Sequence, residues 1–101
     1  MKILFRITFP VQRFNELARN GTVGQKLAAI VEATKPETIY FTGGQSGRGA
    51  VAVYDFADGS QVPAVAEPWF LTFDAQIEYS LAISGQEMAK GNLDEIVKQW
   101  T

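Results

Sequence analysis

A chain of 101 residues is one domain by length, able to bury a single core with a modest margin of stability. Its net charge of −2 leaves no basic footprint for nucleic acid or an anionic membrane, and a composition 47% hydrophobic and 20% charged belongs to a folded globular protein. Cysteine and histidine are both absent, which excludes disulfides, thiolate nucleophiles and zinc–sulfur sites and leaves any catalysis to carboxylates, Tyr, Lys or Arg.

The first element alternates. Ile3, Phe5, Ile7 and Phe9 fall on one side and Lys2, Leu4, Arg6 and Thr8 on the other, a period of two that predicts a strand over Lys2–Phe9. Arg6 interrupts the only apolar run that resembles a leader, and no stretch approaches the roughly 18 apolar residues of a membrane span. A cytoplasmic protein is expected. Pro10 suits a first helical turn, and Val11, Phe14, Leu17 and Ala18 form a helical stripe that stops at Asn20-Gly21. Thr22 to Gln25 reads as a capping box that restarts the helix, with Leu27, Ile30, Val31 and Thr34 at helical spacing and Pro36 closing it. The break fits the length, because an unbroken helix from Val11 to Thr34 would run about 36 Å and overshoot the strand it packs on.

Two strands follow, Thr38–Thr42 and Ala50–Phe56, joined by a run rich in glycine, Gly43 to Gly49. Gly47-Arg48-Gly49-Ala50-Val51-Ala52 matches the dinucleotide string G-x-G-x-x-A. That string cradles phosphate only where it leads into a helix N-terminus, and here the following residues alternate as a strand. A hairpin turn is the reading. Asp58-Gly59-Ser60 marks a turn and cap, and a second helical region runs from Gln61 to about Phe70, with Pro63 tolerated in its first turn and Pro68 expected to kink it or start a new turn. Alternation returns from Ala75 to Ile83, with Ile77, Tyr79, Leu81 and Ile83 on one side. Asn92 to Glu95 reads as a capping box opening a last helix, within 91–101, whose stripe is Leu93, Ile96, Val97 and Trp100. An apolar stripe needs a surface, so Trp100 is expected to be buried against its own domain or a partner subunit.

The order β-α-β-β-α-β plus a C-terminal helix predicts a single α+β domain over residues 1–101. It is the ferredoxin-like arrangement, an antiparallel sheet with helices on one face. The first and last strands are then neighbours, which sets Arg6 near Glu78. The other face carries Leu4 and, from the hairpin, either Val51 and Val53 or the small Ala50 and Ala52 with Tyr54 and Phe56, so it is apolar as well. A homodimer through that face, closing two sheets into one dimeric α+β barrel, is the simplest symmetric solution.

The run GRGAVAVYDFADGS, Trp69 in the second helix and FDAQIEYSLAIS resemble a bacterial family of small dimeric α+β barrels, distantly similar to muconolactone isomerases and the cofactorless antibiotic-biosynthesis monooxygenases. The resemblance implies a ligand entering between the sheet and its own helices, where Tyr40, Tyr54, Tyr79 and Trp69 would border the space and Arg48 would guard a rim. The histidine that several relatives use as a base or haem ligand has no counterpart in this chain. No cofactor, metal or catalytic residue is therefore assigned. The expected function is a self-associating domain that binds a small apolar ligand, with no nucleic-acid or membrane partner. The alternative is a cofactor-independent isomerase or monooxygenase acting on a small aromatic or lactone substrate.

Overall fold

A computed structural model describes Met1–Thr101. The chain forms β1 (Lys2–Thr8), α1 (Val11–Arg19), α2 (Val23–Thr34), β2 (Thr38–Thr42), β3 (Gly49–Asp55), α3 (Val62–Phe73), β4 (Gln76–Ala82), α4 (Gly85–Lys90) and α5 (Leu93–Trp100), with a short 3-10 turn over Gly59–Gln61. The four strands make one open antiparallel sheet in the order β2-β3-β1-β4. No helix is long and apolar enough to cross a membrane.

Strand alternation decides the core. In register, Ile3 faces Tyr54, Phe5 faces Ala52 and Ile7 faces Ala50, and all six are buried on one side of the sheet. Leu17 of α1, Ile30 of α2 and Val65, Ala66, Trp69 and Phe73 of α3 close over them. The small alanines of β3 make room for the large rings. Phe5 meets Tyr54 edge-on at 5.1 Å, and Phe9 sits 4.9 Å from Phe73 and 6.0 Å from Trp69. The Tyr54 hydroxyl lies 2.9 Å from Thr34 Oγ1, which also donates to the Ile30 carbonyl, so the one buried phenol is hydrogen-bonded as burial demands. The Trp69 indole N–H is fully buried and has no acceptor.

The helix ends depart from the expected chemistry in three places. Thr22 has helical dihedrals and its side chain caps nothing. Instead the Asn20 carboxamide accepts from the Thr22 amide at 3.1 Å and from its hydroxyl at 2.5 Å, so Asn20 organises the break between α1 and α2. Asn92 lies in the left-handed region at φ 60° and makes no capping bond. The capping box that does form belongs to Ser84 and Glu87, whose side chains accept from each other's amides at 3.1 and 3.0 Å, opening a helix that the sequence reading passed over. The helix expected to end near Phe70 continues through Pro68 to Phe73, where Arg13 Nε donates to the Thr72 carbonyl at 3.0 Å.

The C-terminal arm is the largest departure. Every residue of α4 and α5 is exposed, and Trp100 is 83% exposed, so it is not buried against its own domain. The chain extends 59 × 30 × 18 Å with a radius of gyration of 17.1 Å, against about 13 Å for a compact chain of this length. It exposes 7039 Å², whereas a folded monomer of its mass is expected to expose about 5,650 Å².

Candidate functional site

The face of the sheet turned away from the helices carries the side chains that the core does not use. Leu4 of β1 and Val51 and Val53 of β3 form a half-buried apolar strip along its centre, and Tyr40, 69% exposed, extends it onto β2. Arg6 and Glu78 stand directly opposite each other in the pairing of β1 with β4, as the strand order anticipated. Neither enters any of the chain's ion pairs.

The strip ends at a cleft of about 600 Å³, lined mainly by polar residues. Arg6, Glu78, Gln76 and Thr8 line it from the two strands, and Ser46 and Arg48 line it from the β2–β3 loop. That loop joins two strands, so it leads into no helix N-terminus. Its glycines divide by task. Gly44 and Gly47 have φ of 108° and 81°, conformations that glycine adopts without strain. Gly49 is needed for closeness, because a Cβ there would stand 2.5 Å from the Ile7 carbonyl oxygen of the neighbouring strand. Arg48 is anchored on the helix side of the loop. It donates to Asn15 Oδ1 at 2.6 Å, its guanidinium lies 4.5 Å from the Phe14 ring centroid, and its carbonyl accepts from the Phe9 amide at 3.0 Å.

The five residues singled out from the sequence do not converge. Tyr54 and Trp69 are core residues, 1% and 0% exposed, filling the space between sheet and helices. Tyr40 lies on the open face and Tyr79 on the other, where it stacks on Phe5 at 5.6 Å and is still 56% exposed. Of the five, Arg48 alone lines the large cleft. Arg6, Glu78 and Gln76 were not singled out as ligand residues. The signal for them was their place on the non-helix side of adjacent strands, which alternation and strand order together reveal.

A second charged group closes the opposite end of the sheet. The Met1 ammonium donates to Asp55 Oδ1 at 2.8 Å, and Lys2 Nζ reaches both Asp55, at 3.4 Å, and Glu37. The ammonium first, and then Lys2, hold the Asp55 carboxyl below the ordinary aspartate range. Glu37 foremost raises the Lys2 ammonium, desolvation opposes it, and Asp55 adds to the rise. These groups are well exposed, and they clamp the first residues of β1 onto β3 and the segment before β2.

No protein-family model matches the chain, and no curated protein matches it in sequence. The site therefore has to be read from its own chemistry. No charged side chain is buried anywhere in the chain, and Arg6, Glu78 and Arg48 are all exposed at the cleft.

Proposed function

We propose that this chain is a self-associating binding domain without catalysis, of ferredoxin-like topology, whose copies pair through the open sheet face as a dimeric α+β barrel. The observation that carries this reading is the unpartnered surface. The chain exposes 7039 Å², an excess of roughly 1,400 Å² over a compact monomer of its mass. A standard interface takes only about 800 Å² from each partner. Part of that surface is the exposed C-terminal arm, and on the sheet it is the strip of Leu4, Val51, Val53 and Tyr40.

The ligand belongs in the cleft at the end of that strip. Because Arg6 and Glu78 present opposite charges there without pairing, a small polar molecule fits better than the apolar one suggested by sequence. The space where an apolar ligand was expected holds Trp69, Tyr54, Phe5 and Phe73. Native mass spectrometry of the purified protein tests both parts together. A dimeric mass is expected, with a small polar adduct on the wild type that Arg6→Ala and Glu78→Ala each remove. A monomeric mass at micromolar concentration overturns the pairing. An adduct that survives both substitutions overturns the cleft.

A further inference from the structure

Two apolar surfaces remain after the open sheet face is assigned, and they are of matching length. On the helix side of the sheet, α3 leaves the outer part of β4 uncovered. Tyr79 and Leu81 are 56% and 61% exposed there, and Ile83 just beyond the strand is exposed on the same alternation. From Tyr79 to Ile83 this strip is about 13 Å long at a strand rise of ~3.3 Å per residue. The stripe on α5, from Leu93 through Ile96 and Val97 to Trp100, spans about 10.5 Å at 1.5 Å per residue. All four of its side chains are exposed.

We infer that the two subunits of the dimer exchange their C-terminal arms, α5 of each copy lying on the β4 strip of the other. This rests on the self-association proposed above and names a second contact within it. The arm does not cover its own strand. The Ser84–Glu87 capping box starts α4 immediately after β4, every residue of α4 and α5 is exposed, and the molecule is drawn out to 59 Å. The six residues of α4 carry the chain about 9 Å outward before α5 begins. A reversal at Gly91-Asn92 would return α5 about as far as Ile83, leaving Leu81 and Tyr79 bare. A second copy has no such limit. An isologous pair also satisfies both arms with one contact repeated about its axis.

The absence of native cysteine makes the test direct. Full-length chains carrying Leu81→Cys and Trp100→Cys, distinguished by tag length, are co-expressed, purified together and oxidised. A second pair, Tyr79→Cys with Val97→Cys, covers the neighbouring register. The expected result is a covalent heterodimer from at least one pair on a non-reducing gel. Leu81→Cys/Trp100→Cys in a single chain should give no disulfide at monomer mass. A disulfide closed within one chain overturns the exchange in favour of an arm that folds back. Absence of any cross-link also overturns it, and sedimentation of the unoxidised mixture then separates the two readings. A dimer without cross-links leaves the sheet-face pairing standing with free arms, and a monomer removes both.

Discussion

Trp69 offers a sharp test of the core, because two substitutions there oppose different costs. It is fully buried, 6.0 Å from Phe9 and 6.2 Å from Phe73, and its indole N–H has no acceptor. Trp69→Ala empties the largest buried side chain and should cost about 3–5 kcal/mol. Trp69→Phe keeps an aromatic ring. It gives up roughly 40 Å³, worth about 1 kcal/mol at ~24 cal/mol per Å³ of cavity, and the burial of about two carbons, worth another ~1.5 kcal/mol. It also removes a buried donor whose unmet hydrogen bond costs about 1–3 kcal/mol. The balance is a loss of at most about 1.5 kcal/mol. Urea unfolding followed by far-ultraviolet circular dichroism, at one fixed protein concentration so that any association enters every variant alike, should place Trp69→Phe close to wild type. Trp69→Ala should melt more than about 12 °C lower, at ~4 °C or more per kcal/mol for a domain of this size. Equal losses for the two variants would refute the reasoning, by showing that the indole N–H is satisfied in solution.

Other positions give independent tests. Gly49→Ala should lose about 1–3 kcal/mol in urea unfolding because its methyl group meets the backbone of β1, whereas Gly43→Ala, with open space around it, should stay within about 0.5 kcal/mol. Thr34→Val strands the buried Tyr54 hydroxyl and should cost about 1–3 kcal/mol, and adding Tyr54→Phe should recover most of that loss in the same assay. Asp55 is held below its ordinary value of 3.8 in the folded state, so its contribution is complete above that value and fades as pH falls through the lower folded value. Asp55→Asn should accordingly flatten the acid side of the plot of melting temperature against pH, and an unchanged acid limb would count against the clamp. Val51→Asp puts a charge in the centre of the open-face strip and should yield a monomer in sedimentation velocity while the circular dichroism spectrum is kept.

Much of the fold is legible in the sequence because strands with one buried face cannot hide their period. Ile3, Phe5 and Ile7 against Lys2, Leu4 and Arg6 identify β1 and its two sides at once, and the register of Arg6 with Glu78 follows from the strand order. Caps are less legible. Thr22-Val23-Gly24-Gln25 and Asn92-Leu93-Asp94-Glu95 both satisfy a capping pattern, yet neither forms one, while Ser84-Gly85-Gln86-Glu87 does. The pattern records which atoms are available. Whether the first residue takes extended dihedrals is decided by the preceding chain. Ser84 leaves a strand and is already extended at ψ 167°, whereas Thr22 and Asn92 follow a helix through tight turns and arrive with ψ of −5° and 44°.

The same limit explains why the aromatic residues misdirect a search for the site. Tyr40, Tyr54 and Tyr79 each sit among aliphatic neighbours and look alike in sequence. What separates them is sheet position, since Tyr54 is on β3, inside the order β2-β3-β1-β4, and Tyr40 and Tyr79 are on its two edges. A central strand on the helix side is covered, while an edge strand is covered only as far as the helices reach, and here they stop short of Tyr79 and Leu81. The stripe on α5 poses the same problem in reverse. Its periodicity demands an apolar surface, and periodicity contains nothing about which chain supplies that surface. What is observed is that both surfaces stand bare, since every residue of α4 and α5 and the side chains of Tyr79 and Leu81 are exposed, and the disulfide pairs proposed above decide between an arm that folds back and one that crosses to a second copy.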